Sequence, residues 1–137
     1  MKKILIVEND DAGRFVLTRR LKMEGYDVIE AESAEDVINK AKKENPDLIV
    51  LRADIPERKG MMRGTGMNEE YKVAEKLKKE GIAIPIIFTT ICENDEQTKG
   101  ICDKEIRNKY HELGVVDLFV KPFNPNAILE RIRQILN

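Results

Sequence analysis

The sequence predicts an α/β domain: a five-stranded parallel sheet covered by about five helices. Short apolar runs alternate with helical patterns from one end to the other, and the runs are continuous rather than polar-apolar in alternation, as strands buried on both faces require. Ser, Asn, Gly and Pro stand at the joints. With 137 residues and 42% hydrophobic content, the chain closes one sizeable core and is taken as a single domain over 1–137.

The expected strands are the runs 4–7, 26–29, 48–51, 84–90 and 116–120. Between the first two, Leu17 and Leu21 fall at helical spacing; Ala34, Val37, Ile38 and Ala41 mark the second helix, and Val73, Ala74 and Leu77 the third. Ile106, Tyr110 and Leu113 predict a fourth. Ile128, Leu129, Ile132, Ile135 and Leu136 predict the last, with charged residues on its opposite side. Ser33 with Asp36 has the spacing of a capping box, Asn124 before Pro125 puts a capping amide ahead of a first-turn proline, and Asn68 precedes Glu69 and Glu70. Gly25, Gly81 and Gly114 fall where helices should stop.

Charge nominates no partner. Lys and Arg number 24 against 25 Asp and Glu, a formal charge of -1, so no global field draws the chain onto nucleic acid or an anionic membrane. The apolar run 4–7 is too short for the core of a signal peptide, which predicts a cytoplasmic protein. Cys92 and Cys102 are too far apart for a CxxC motif and His111 gives them no evident partner, so they are expected to be free structural thiols and His111 a surface residue.

Four segments carry a more specific signal: Ile-Leu-Ile-Val-Glu8-Asn9-Asp10, Pro46-Asp-Leu-Ile-Val-Leu-Arg52-Ala-Asp-Ile-Pro56, Pro85-Ile-Ile-Phe-Thr-Thr90 and Val120-Lys121-Pro122-Phe123. In order and spacing they resemble the receiver (response-regulator) family of two-component signalling, over essentially the whole chain. The resemblance implies a flavodoxin-like, doubly wound sheet of order 2-1-3-4-5, with functional residues at the carboxyl ends of the strands beside the switch point. It also implies an acidic pair after the first strand that holds magnesium, and an aspartate at the end of the third that accepts a phosphoryl group.

This sequence departs from that pattern. The pair reads Glu8-Asn9, which keeps an oxygen but loses a charge, so magnesium binding is weakened and no cofactor is expected; Glu8 and Asp10 are the ligands if a metal binds. The acceptor position, counted back from Ile55-Pro56, is Arg52. A guanidinium carries a fixed charge and five donors, so it suits the place of the cation and not that of the nucleophile. Glu8, Asp10 and Asp54 are its candidate partners in an acidic pocket; alternatively Arg52 snorkels to solvent as a rim charge. Thr90 and Lys121 match the family's phosphate-contacting hydroxyl and ammonium, and either still hold an anion or serve as a strand-end hydrogen bonder and a partner of Glu8 or Asp54. The aromatic switch position, three before the lysine, is Leu118.

Two segments exceed the family's usual lengths. Residues 57–67 combine Gly60, Gly64 and Gly66 with Arg58, Lys59 and Arg63, without the strand or the Gly-Lys-Thr of a phosphate loop. Residues 91–113 expand the fourth helix region. The expectation is an atypical receiver that is not an enzyme and works as a phosphorylation-independent interaction module. Its partner would be a signalling kinase, an output domain or a scaffold, met through the fourth helix, fifth strand and last helix, a face that also suits a homodimer. One alternative is a phosphorylatable receiver using Asp54 or Asp10 with magnesium. Another, of a different class, is a flavodoxin-like nucleotide or flavin binder.

Overall fold

The structure, a computed structural model, describes residues 2–7, 11–52, 69–90, 111–120 and 124–136. The elements run β1 (Lys3–Val7), α1 (Asp11–Met23), β2 (Asp27–Glu30), α2 (Ala34–Glu44), β3 (Leu48–Arg52), α3 (Glu69–Lys79), β4 (Ile86–Thr90), β5 (Val115–Val120) and α4 (Pro125–Leu136). Every strand pair is parallel and the sheet order is β2-β1-β3-β4-β5, as the resemblance implied. Four helices with full bounds are found among the described residues instead of about five. The expected fourth lies largely outside them; its end is seen in His111 and Glu112, which are helical and exposed.

Strand periodicity builds two cores from one sheet. Along β1, Leu5 and Val7 face one layer with Ile49, Leu51, Ile86 and Phe88, beneath Val37, Ile38 and Ala41 of α2 and Val73, Ala74 and Leu77 of α3. Ile4 and Ile6 face the other with Leu48, Val50 and Ile87, beneath Leu17 and Leu21 of α1 and Ile128, Leu129 and Ile132 of α4. The continuous apolar runs therefore mean what the sequence suggested: each residue has a helix to meet on its own side. Between Ile86 and Ile87 the β4–β5 register shifts, so Val115 and Asp117, not consecutive residues, pair with them. Such an irregularity re-aims the residues that follow it.

Local chemistry sets the joints. Ser33 Oγ accepts from the Asp36 amide at 3.1 Å, but the Asp36 carboxylate accepts from the Glu32 amide instead of closing the box on Ser33. Asn124 Oδ1 accepts from the Asn126 amide at 2.9 Å, leaving Pro125, which has no N–H to lose, as the first helical residue. Gly25, Gly81 and Gly114 all have positive φ, and Asn45, which the sequence reading did not single out, closes α2 at φ 47°. Ion pairs then tie the layers: Lys42 to Glu80 between the ends of α2 and α3 at 2.8 Å, and Arg133 of α4 to Glu24 after α1 at 2.6 Å. Hydrogen bonding and charge from Glu24, with a smaller part from Glu130, hold the Arg133 guanidinium above its already high ordinary pKa, so this tie keeps its cation at any accessible pH.

Candidate functional site

A parallel sheet gathers the carboxyl ends of its strands on one edge, and the register fixes how they line up there. Val7 pairs with Leu51, Leu51 with Phe88, and Phe88 with Leu118. One step further toward the edge, Arg52 pairs with Thr89 and Thr89 with Phe119; beyond them Thr90 pairs with Val120. Arg52 is thus the last residue of the central strand, with β1 and β4 on either side, each about 4.8 Å away in the hydrogen-bonding direction. Because β2 lies beyond β1 and β4 beyond β3, the chain reverses its direction of winding here, the place where open α/β sheets bind their ligands.

Of the residues singled out from the sequence, Arg52, Thr90 and Leu118 lie on strands at or near this edge. Glu8, Asn9 and Asp10 follow β1 in the chain, Asp54 follows β3 by two residues and Lys121 follows β5 directly; all five lie outside the described residues, as do the segment 57–67 and both cysteines. What the fold establishes is that one sheet edge receives the chain segments carrying them.

The described side chains nearest that edge add one feature the sequence reading missed. Thr89 is 1% exposed, and among the described residues its Oγ has no hydrogen-bond partner. A signal was available: Thr89 interrupts an otherwise apolar run, Ile86-Ile87-Phe88, and a polar residue at a core position is more informative than an exposed apolar one. A second unread feature is on α1, where Phe15, Val16 and Met23 are exposed.

The surface expected to meet partners is organised on its β5 side by one bridge. Arg131 Nε of α4 donates to Asp117 Oδ2 of β5 at 2.8 Å, and its Nη2 lies 3.4 Å from the Val116 carbonyl oxygen. Arg20 of α1 donates to Asn126 Oδ1 at 2.8 Å and anchors the start of the same helix. The edge of β5 and the body of α4 are thereby tied to each other. Among the described residues, no helix is long and apolar enough to cross a membrane.

The comparisons with known proteins agree with this geometry. The family model described as "Response regulator receiver domain" matches residues 4–133. A probable transcriptional regulator, ycf27, of Porphyridium aerugineum is 32% identical over 135 residues, which are 98% of this chain and 48% of that protein. The alkaline phosphatase synthesis transcriptional regulatory protein PhoP of Bacillus subtilis (strain 168) is 31% identical over 98% of this chain and 48% of its own length. The chain thus spans about half the length of these curated relatives. Among solved structures, a CheY-like response regulator receiver domain protein from Methanospirillum hungatei JF-1 matches with a TM-score of 0.72 at 27% identity, covering 98% of this chain and 92% of that one. The chemotaxis response regulator CheY4 of Vibrio cholerae matches with a TM-score of 0.75 at 22% identity over 99% of both chains, a likeness of fold.

Proposed function

The chain belongs to the response regulator receiver domain family, and from that premise we propose that it is an atypical receiver that signals by binding a protein partner without being phosphorylated. The observation that carries this reading is the identity of the residue ending the central strand: Arg52, where the family's acceptor carboxylate is expected. A carboxylate can attack phosphorus and become an acyl phosphate; a guanidinium, with no lone pair to give at neutral pH, cannot.

The neighbouring residues support the same conclusion. Magnesium is a hard cation that gives up water only for several negative oxygens, and the Glu8-Asn9 pair supplies one carboxylate where two are expected. A fixed positive charge on the adjoining strand end adds Coulomb repulsion to that deficit. The donor set therefore fits magnesium poorly. In this reading the Arg52 cation fills the electrostatic place of the metal, with Glu8, Asp10 and Asp54 as its partners, and Thr90 and Lys121 keep the polar lining without a phosphoryl group to hold. Leu118 at the aromatic switch position removes the side chain whose movement would report one.

The chain is then not an enzyme but one receiver unit across 1–137, and its contact surface comprises β5, α4 and the helix that ends at His111 and Glu112. A kinase, an output domain or a scaffold would be met there, and a second copy of the chain is a further occupant of the same face. The relatives that are named transcriptional regulators are about twice as long, so control of transcription would need chain beyond this stretch. Incubation with a small phosphodonor and magnesium, read by intact mass, tests the proposal. An unchanged mass is expected; a stable phosphoryl group on Asp54 or Asp10 would replace it with a phosphorylatable receiver using a shifted carboxylate.

A further inference from the structure

A strand at the edge of a sheet presents a row of backbone N–H and C=O groups onto which another chain can add. Among the described residues the two edges are β2 and β5, and each has a carbonyl held by a cation from a helix. At β5, Arg131 of α4 donates from Nε to Asp117 Oδ2 at 2.8 Å and brings Nη2 to 3.4 Å from the Val116 carbonyl oxygen. Val116 is also where the ladder slips: Ile86 pairs with Val115 and Ile87 with Asp117, so Val116 is the extra residue between them. An extra residue in an edge strand breaks the regular spacing a further strand would need. At β2, Lys40 of α2 donates to the Glu30 carbonyl oxygen and pairs with Asp36 Oδ2 at 3.2 Å. This strand is only four residues long, and its first and last, Asp27 and Glu30, are exposed acids.

We propose that Arg131 and Lys40 guard the two edges of the sheet against strand addition, so that the β5 and α4 surface is read through side chains by a folded partner and not by an extended peptide. For the partner, this rests on the reading of that surface as the contact face; the closure of the edges stands without it. The same device, built from different elements, appears at both ends of the sheet. In each case a carboxylate, Asp117 or Asp36, holds the cation beside the carbonyl it covers. A strand joining β5 would have to displace the Arg131 guanidinium, leaving Asp117 without its cation, whereas a partner presenting a helix or domain face leaves the pair in place.

The test uses the full chain, wild type and with Arg131→Met, Lys40→Met or both, followed by sedimentation velocity and by amide exchange along β2 and β5. The double variant should self-associate at least about tenfold more strongly than the wild type, with edge amides gaining protection as it does so. Arg131→Lys and Lys40→Arg, which keep the cation, should behave as the wild type. A folded double variant that associates no more than the wild type overturns the guard. The wild type also gives a reading that no loss of folding can obscure: a synthetic peptide of residues 115–120, added in excess, should leave its β5 amides unprotected. Protection of those amides by the peptide overturns the guard and leaves the contact surface standing. Wild-type self-association that leaves the α4 and β5 resonances unmoved removes the contact surface as the site of the homodimer, while the guard still stands on the variants.

Discussion

Breaking the bridge between β5 and α4 provides a quantitative probe of the proposed contact surface. Arg131 and Asp117 meet at 2.8 Å with both side chains 36% exposed, so neither the bulk-water nor the dry-interior limit applies. Two unit charges about 4 Å apart are worth roughly 1 kcal/mol in water and roughly 4 kcal/mol at an effective dielectric of about 20, before desolvation and side-chain entropy are subtracted. Measured exposed pairs fall at about 0.2–1 kcal/mol. The good geometry of the Nε donor, and the weaker second contact to the Val116 carbonyl, place this pair at the upper end, about 1 kcal/mol of coupling. Asp117→Asn, Arg131→Met and the double variant, unfolded in urea at low salt, should give that coupling, and a midpoint shift of about 2–8 °C on heating for each kcal/mol lost. Raising salt to about 1 M, where the screening length is near 3 Å, should reduce it by roughly half. A coupling below about 0.3 kcal/mol would mean that the bridge does not organise this surface, and a partner's affinity should then be indifferent to both single variants.

Other substitutions test the fold that presents the site. Ile87→Ala empties a fully buried position under α1 and α4 and should cost about 2–5 kcal/mol, read by denaturant titration with an unchanged slope. Ser33→Ala removes the acceptor for the Asp36 amide and should cost about 1 kcal/mol, while Ser33→Asp should largely keep it. At Gly114, φ is 93° and, among the described residues, an added Cβ would meet only the Ile84 carbonyl oxygen, at 3.8 Å. Gly114→Ala should therefore destabilise by about 1–2 kcal/mol through backbone conformation and not through a clash, and D-alanine introduced there by chemical synthesis should be tolerated.

The fold was legible because its strands are covered on both faces, which writes them as unbroken apolar runs, and because each helix carries its own stripe. The boundaries were less so where hydrogen bonding and hydrophobicity disagree. β2 is an edge strand, half-buried, and runs Asp27–Glu30 instead of 26–29: the polar Asp27 and Glu30 are drawn in by pairing with Lys3 and Ile6. Ile84 and Pro85 read as part of the fourth strand but precede it. Ile84 is buried in the core, while Pro85, which has no N–H to donate, contributes only a carbonyl that accepts from Ile49. The stop at Asn45 was missed because asparagine reaches the left-handed region less often than glycine, and the local sequence does not announce it.

The site divides in the same way. Arg52 was singled out through the resemblance, counted back from Ile55 and Pro56, and the ladder shows it to be the last residue of β3. Thr89 could have been flagged as a polar residue at the end of an apolar run, but which residue of the neighbouring strand it faces depends on register, a tertiary property that a single sequence does not display.

The most direct measurement of the central claim is a side-by-side phosphorylation of the wild-type chain and the Arg52→Asp, Asn9→Asp variant with the same small phosphodonor and magnesium, read by intact mass and peptide mapping. The account predicts no adduct on the wild type and one phosphoryl group on the variant, at position 52. A wild-type chain that gains a phosphoryl group on a carboxylate near the end of β3 would contradict it.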